Sequence, residues 1–221
     1  MRTLQTMANK LKIGEVSKPR YEFRTFGSDF EEVAQRMSHL SAAVPKKFRK
    51  RTSAEIYIVS KTNDTNNVKI RDEKMDIKKL IQAVDGLEQW TPLMKGEFPF
   101  MAQIIVEEIF PMFQLVIPKP EKDELSFDDF LSIIKPHPEL KVVTVEKERY
   151  GYMVNGTICE YALVQINGSM ISTVSSESTN IDDVKKTIWD LGLEGMENIN
   201  YIQAVKRVTG MKNKTIPNNK L

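Results

Sequence analysis

Cysteine is nearly absent: Cys159 stands alone in 221 residues. One thiol excludes an internal disulfide and any cysteine-rich zinc site, because both need several sulfurs. Histidine is almost as scarce, with only His39 and His137. A histidine metal centre or a Ser-His-Asp triad therefore has too few parts. Long apolar runs are missing, and the N-terminus lacks the apolar stretch and small-residue cleavage site of a secretory signal. A cytoplasmic, reducing location and no membrane partner are expected. Excess charge is missing as well: 28% of residues are charged, yet the net charge is +2. That balance argues against nucleic acid as the main partner. With sulfur and imidazole set aside, a bound metal must rest on carboxylates, which favours magnesium or manganese.

What is present is charge in local patterns. Lys46, Lys47, Arg49, Lys50 and Arg51 form a basic run that reads as a solvated loop, and the tail carries Lys206, Arg207, Lys212, Lys214 and Lys220. Residues 1–18 read as a polar lead-in with a short amphipathic turn at Leu4–Leu11. Strands are predicted at 20–26, 54–60 and 68–71. A strand is also read at 75–80, with a helix from Asp76 as the competing reading. Phe30, Val33, Met37 and Leu40 have helical spacing, with Ser28 or Asp29 as cap. Residues 89–100, punctuated by Pro92, Gly96 and Pro99, read as extended at best. Helical spacing returns at 101–113, and Ser126 caps a short helix through Ile134. The stretch 141–177 reads as three or more antiparallel strands broken at Gly151, Asn155-Gly156 and Asn167-Gly168. Two helices, from Asn180 or Asp182 to Gly192 and over 200–209, precede a flexible tail at 211–221. Trp90 and Trp189 are expected to pack in or against the core.

The strands carry charge at period two, which places like charges on one face. Arg20, Glu22 and Arg24 share a face, as do Lys69 with Arg71, and Lys147 with Arg149; Lys78, Glu160 and Glu177 extend the set. Such faces usually meet solvent. If they instead line one enclosed lumen, the lining is cationic with a few acids and suits a ligand bearing several phosphates. Arginine forks engage phosphate oxygens, lysines add point charges, and carboxylates can hold a bridging cation that activates water.

The order of these features resembles the CYTH family, the triphosphate tunnel metalloenzymes, over about residues 19–210. That family opens on a strand with two glutamates and a lysine at alternate positions. Here Arg20-Tyr21-Glu22-Phe23-Arg24 is similar, with Glu22 kept, Arg24 in place of the lysine and Arg20 in place of the first glutamate. The paired basic residues resemble Lys69 and Arg71 in Val68-Lys69-Ile70-Arg71, a following lysine matches Lys78 or Lys95, and the later basic pair resembles Lys147 and Arg149. The closing strand, Thr173 to Glu177, keeps Glu177 and has Ser175 at the other acidic place, while Asn198 and Tyr201 fit the family's asparagine-tyrosine close.

The resemblance implies an α+β fold: an antiparallel β-barrel or tunnel of about eight strands with flanking helices and a helical insertion at about 80–140. It implies a metal-dependent phosphohydrolase acting on inorganic triphosphate, a nucleoside triphosphate or thiamine triphosphate. Arg24, Lys69, Arg71, Lys78, Lys95, Lys147 and Arg149 would bind substrate. Glu22 and Glu177 would be catalytic and, with Glu160, would hold magnesium or manganese. The alternative is a non-catalytic tunnel that binds a phosphorylated ligand, nucleotide or polyphosphate. The non-acidic Arg20 and Ser175 favour that alternative and leave enzyme activity open.

Overall fold

The computed structural model describes residues 18–218; the Leu4–Leu11 turn and Lys220 lie outside the described residues. Where β-branched and aromatic residues alternate with charge, the chain forms strands. These are β1 (Arg20–Gly27), β2 (Lys50–Ser60), β3 (Asn66–Arg71), β4 (Lys74–Val84), β5 (Leu87–Glu97), a short pair β6 (Phe100–Met101) and β7 (Glu124–Leu125), then β8 (Leu140–Val154), β9 (Thr157–Ile166) and β10 (Ser169–Ser178). Eight of them close into a barrel in the order β1-β10-β9-β8-β2-β3-β4-β5, and antiparallel pairing of β5 with β1 completes it. The helices are α1 (Glu31–Leu40), α2 (Lys46–Arg49), α3 (Ala102–Ile104, continuing irregularly to Phe113), α4 (Phe127–Ile134), α5 (Ile181–Leu191) and α6 (Tyr201–Val208). The fold class is α+β with an eight-stranded barrel, as expected. Among the described residues no helix is long and apolar enough to cross a membrane.

Turn chemistry accounts for most of the hairpins. Asn155-Gly156 and Asn167-Gly168 both adopt positive φ, the conformation that two-residue hairpins require. Asp85-Gly86 does the same, at φ 51° and 79°, and joins β4 to β5. Residues 89–100 are thus more than extended chain: 87–97 form an eleven-residue barrel strand. The helical part of the insertion accordingly starts at Ala102.

Gly151 needs a correction, because β8 runs through it without a break. A Cβ built there would lie 2.5 Å from the carbonyl oxygen of Phe48, so this glycine permits close backbone approach rather than a turn. Gly151→Ala is expected to lower stability by about 1–3 kcal/mol through that overlap, read from the urea midpoint. An unchanged midpoint would mean that the Phe48 backbone moves aside freely. The run 46–51 is not a loop either: it forms the single turn α2 and the first residues of β2. At α1 the N-cap position falls to Phe30, while the Asp29 carboxylate accepts the Glu31 N–H at 3.1 Å.

The chain divides into two units, one of residues 55–79 and 91–143, the other of residues 18–54, 80–90 and 144–218. In the first, one face of β2, β3 and β4 (Ile58, Val68, Ile70, Met75, Ile77) packs with Ile105, Ile109, Phe113 and Phe130 of the inserted helices. Phe98 sits in an aromatic cluster, 4.7 Å from Phe100 and 5.4 Å from Phe130 between ring centroids. A capping box between Ser126 and Asp129 fixes the start of α4. In the second unit Phe23, Leu87, Cys159, Tyr161 and Val174 pack with Val33 and Met37 of α1 and Val184 and Leu191 of α5. Helices cover that strand face, so the opposite face is the barrel interior. Trp90 is buried as expected, but Trp189 is 67% exposed on α5.

Candidate functional site

In the second unit, β1 turns Arg20, Glu22 and Arg24 to the interior, and register extends that face sideways. Glu22 lies opposite Glu177 of β10 and Glu88 of β5, Arg24 opposite Ser175, and Ser175 opposite Glu160 of β9. Cross-strand partners point the same way, so charges far apart in sequence form one surface. From β8, Lys147 and Arg149 lie opposite Val164 and Ala162 on the same face. Asn198 fixes the β1 backbone at this point. Its Oδ1 accepts the Arg24 N–H at 2.9 Å, and its Nδ2 donates to the Gly86 and Glu22 carbonyls at 2.9 and 3.3 Å. Asn200 caps α6 through the Gln203 N–H, which places Tyr201 at the first helical position.

Arg24 is the centre of the network and is only 8% exposed. Its Nε donates to Glu22 Oε1 at 2.9 Å, its Nη1 lies 3.5 Å from Glu160 Oε1 and from Thr173 Oγ1, and its guanidinium lies 4.7 Å from the Tyr201 ring centroid. Burial opposes its charge, but Glu22, Tyr201 and Glu160 outweigh that and raise its pKa. Lys147, 5% exposed, places its Nζ 3.7 Å from the centroid of the same ring. Two buried cations thus meet one aromatic ring, an arrangement that cation–π attraction supports. Around them Arg51 Nη2 reaches Glu160 Oε2 at 3.3 Å, Arg149 Nη2 donates to Ser53 Oγ at 3.1 Å, and Arg20 Nη1 donates to Glu177 Oε1 at 2.9 Å.

Glu88 completes the row Glu88–Glu22–Glu177. Its carboxylate accepts from Asn200 Nδ2 at 3.0 Å and from Trp90 Nε1 at 3.1 Å. Burial pushes its pKa up against those hydrogen bonds, with the Glu22 charge adding to the rise. A raised folded-state pKa means the folded protein binds more protons than the unfolded one in that window, so stability falls as pH rises through it. Glu88→Gln is therefore expected to stabilise the protein at neutral pH, with the gain disappearing below the ordinary carboxylate range. A gain that is the same at pH 4 and pH 7 would contradict this.

In the first unit, Lys69, Lys78 and Arg71 lie on the faces of β3 and β4 opposite Val68, Ile70, Met75 and Ile77; the register sets Lys69 against Asp76 and Asn67 against Lys78. Lys69 Nζ lies 3.5 Å from Asp76 Oδ2, and Arg71 Nη1 lies 3.6 Å from Glu55 Oε1. Glu55 is buried and also accepts from the Tyr57 hydroxyl at 3.2 Å. Lys95 is exposed on β5 next to buried Met94, so alternation turns it away from the apolar core.

The structure therefore joins Glu22, Arg24 and Glu160 directly and places Glu177 beside Glu22 with Arg20 attached. Among the described residues no three acidic, histidine or cysteine side chains form a metal-holding group. Each carboxylate expected to hold metal instead engages an arginine: Glu22 with Arg24, Glu160 with Arg24 and Arg51, Glu177 with Arg20. This donor set does not fit a divalent cation. Four charged participants escaped the sequence reading of the site: Glu88, Arg51, Glu55 and Asp76. The Asp85-Gly86 turn pointed to β5 and hence to Glu88, whereas nothing local marked the others.

No protein-family model and no curated protein matches the chain. Among solved structures it is similar to a candidate adenylate cyclase from Bacillus halodurans, at 15% identity and a TM-score of 0.48, covering 82% of this chain and 94% of that one. It is also similar to a candidate adenylyl cyclase from Hippeastrum with a dominant triphosphatase activity, at 11% identity and a TM-score of 0.45 over 86% and 96% of the two chains. A third is the RNA triphosphatase domain of a trifunctional mimivirus mRNA capping enzyme, at 8% identity and a TM-score of 0.44 over 87% and 98%.

Proposed function

We propose that the protein binds a triphosphate-bearing small molecule or polyphosphate, with the interior face around Arg24, Lys147 and Arg149 taking phosphates. The observation that carries this reading is the pair of buried cations, Arg24 and Lys147, on the Tyr201 ring. Both cations lie on the interior face, where a multiply charged anion gains charge-assisted hydrogen bonds from them. Lys69, Arg71, Lys78 and Lys95 are proposed as further phosphate ligands, each to be tested by its own substitution. A cytoplasmic location belongs to the same reading: the only thiol, Cys159, is buried, and burial pushes its pKa up, which keeps it unreactive.

Hydrolysis of the bound triphosphate with magnesium or manganese is the second reading, favoured by the row Glu88–Glu22–Glu177 on neighbouring strands. Since Glu22 and Glu177 of that row engage arginines, binding stands ahead of it. The test is one panel of tripolyphosphate, nucleoside triphosphates and thiamine triphosphate, each with magnesium, manganese or chelator, scored for thermal stabilisation and for phosphate release. Stabilisation by tripolyphosphate in chelator is expected; no stabilisation by any member would overturn the proposal. Metal-dependent release, lost in Glu177→Gln with the fold intact, would move hydrolysis to first place.

A further inference from the structure

Helix α2 and the start of β2 set Lys46, Lys47, Arg49 and Lys50 on the surface on either side of Phe48 in the chain. Phe48 is 40% exposed. Lys47 Nζ lies 5.0 Å from its centroid and the Arg51 guanidinium 5.5 Å. Arg51 is anchored to Glu160 and backs the ring, whereas Lys47 sits on a flexible stem and can move. A second ring, Tyr150, has Lys50 Nζ 5.2 Å from its centroid, and Lys50 also pairs with Glu148 at 3.0 Å. Arg49 Nε donates to the Val44 carbonyl at 3.1 Å. Lys46 and Lys47 form no ion pair among the described residues. The Phe48 backbone is wedged against Gly151, so this ring is presented from a fixed position.

We propose that this patch binds single-stranded nucleic acid, with Phe48 stacking on an unpaired base and Lys46, Lys47 and Arg49 taking the flanking phosphates. An aromatic platform flanked by cations is what single strands require, since every base offers a π-face and every linkage a charge. The net charge of +2 does not oppose this, because at about 0.1 M salt screening acts beyond roughly 10 Å and the strand meets the local patch. A duplex hides its base faces, and a bilayer surface calls for more apolar area than one ring supplies. The inference stands whether or not the barrel interior binds triphosphate.

The test is fluorescence anisotropy of the full chain with short labelled single-stranded RNA and DNA, with the matching duplex, and cosedimentation with phosphatidylserine-containing vesicles. Three neutralised phosphates predict a fall in single-strand affinity of about 20-fold between about 50 and 200 mM salt. The triple substitution Lys46→Gln, Lys47→Gln and Arg49→Gln should remove most of that dependence. Phe48→Ala should weaken binding about tenfold at an unchanged salt slope, and Phe48→Trp should restore it. Thermal melts accompany every variant; should Phe48→Ala fail to fold, the triple variant decides. No single-strand binding, equal binding of duplex, indifference to the triple substitution, or vesicle binding in its place would each overturn the proposal.

Discussion

Arg24→Met is expected to lower the free energy of unfolding by about 3–5 kcal/mol, the largest effect of any single substitution in the network. The reason is what the change leaves behind. Glu22 and Glu160 side chains are 17% and 14% exposed, and both face the Arg24 guanidinium. Glu160 retains Arg51 at 3.3 Å, and Glu22 loses a charged donor at 2.9 Å. Taking a charged donor from a largely buried carboxylate costs more than the pair itself contributed. Methionine also gives up the stacking on Tyr201 and the long bond to Thr173. Urea denaturation measures the loss, and Arg24→Lys, which keeps the charge without the fork, should fall between the two. A loss below about 1 kcal/mol would mean that these carboxylates reach water in the folded state and that the network is a surface feature.

Lys147→Met should have the opposite profile: a retained fold and a triphosphate affinity lower by about 30-fold or more. Methionine fills nearly the space of the lysine stem and keeps contact with the Tyr201 ring, while the buried charge disappears. Losing that charge keeps the packing on the ring and removes a phosphate donor from the interior. Calorimetric titration with tripolyphosphate in chelator separates the two effects. If affinity is unchanged, the buried ammonium serves the fold and the phosphates bind elsewhere. If affinity and fold are lost together, Lys147→Gln and Lys147→Arg decide between packing and charge.

The sequence made several elements legible for identifiable reasons. Alternation put Arg20, Glu22 and Arg24 on one face of β1, and Lys147 with Arg149 on one face of β8, because side-chain direction along a strand is set locally. Asn-Gly pairs marked two hairpins, and Ser126 and Asn180 marked helix starts. Gly151 misled because glycine also serves close backbone approach, which depends on a segment a hundred residues away. Pro92 misled because proline demotes a strand only when its missing N–H is needed by a neighbour.

The pairing of charges was out of reach. That Glu22 lies between Glu88 and Glu177, or that Arg51 reaches Glu160, follows from strand order and register, which periodicity does not encode. For the same reason the sequence, which reads Glu22, Glu160 and Glu177 as metal ligands, does not show the arginines that each of them engages. Lys46–Arg51 read as a solvated loop because its charges are all of one sign, but the following strand carries Arg51 into the interior network.

The most direct measurement is a crystal structure of the protein grown with tripolyphosphate. The account predicts phosphate density within hydrogen-bonding distance, about 2.7–2.9 Å, of Lys147 Nζ and the Arg149 guanidinium on the interior face. Density confined to the α2 surface, or an interior free of phosphate at saturating ligand, would contradict it.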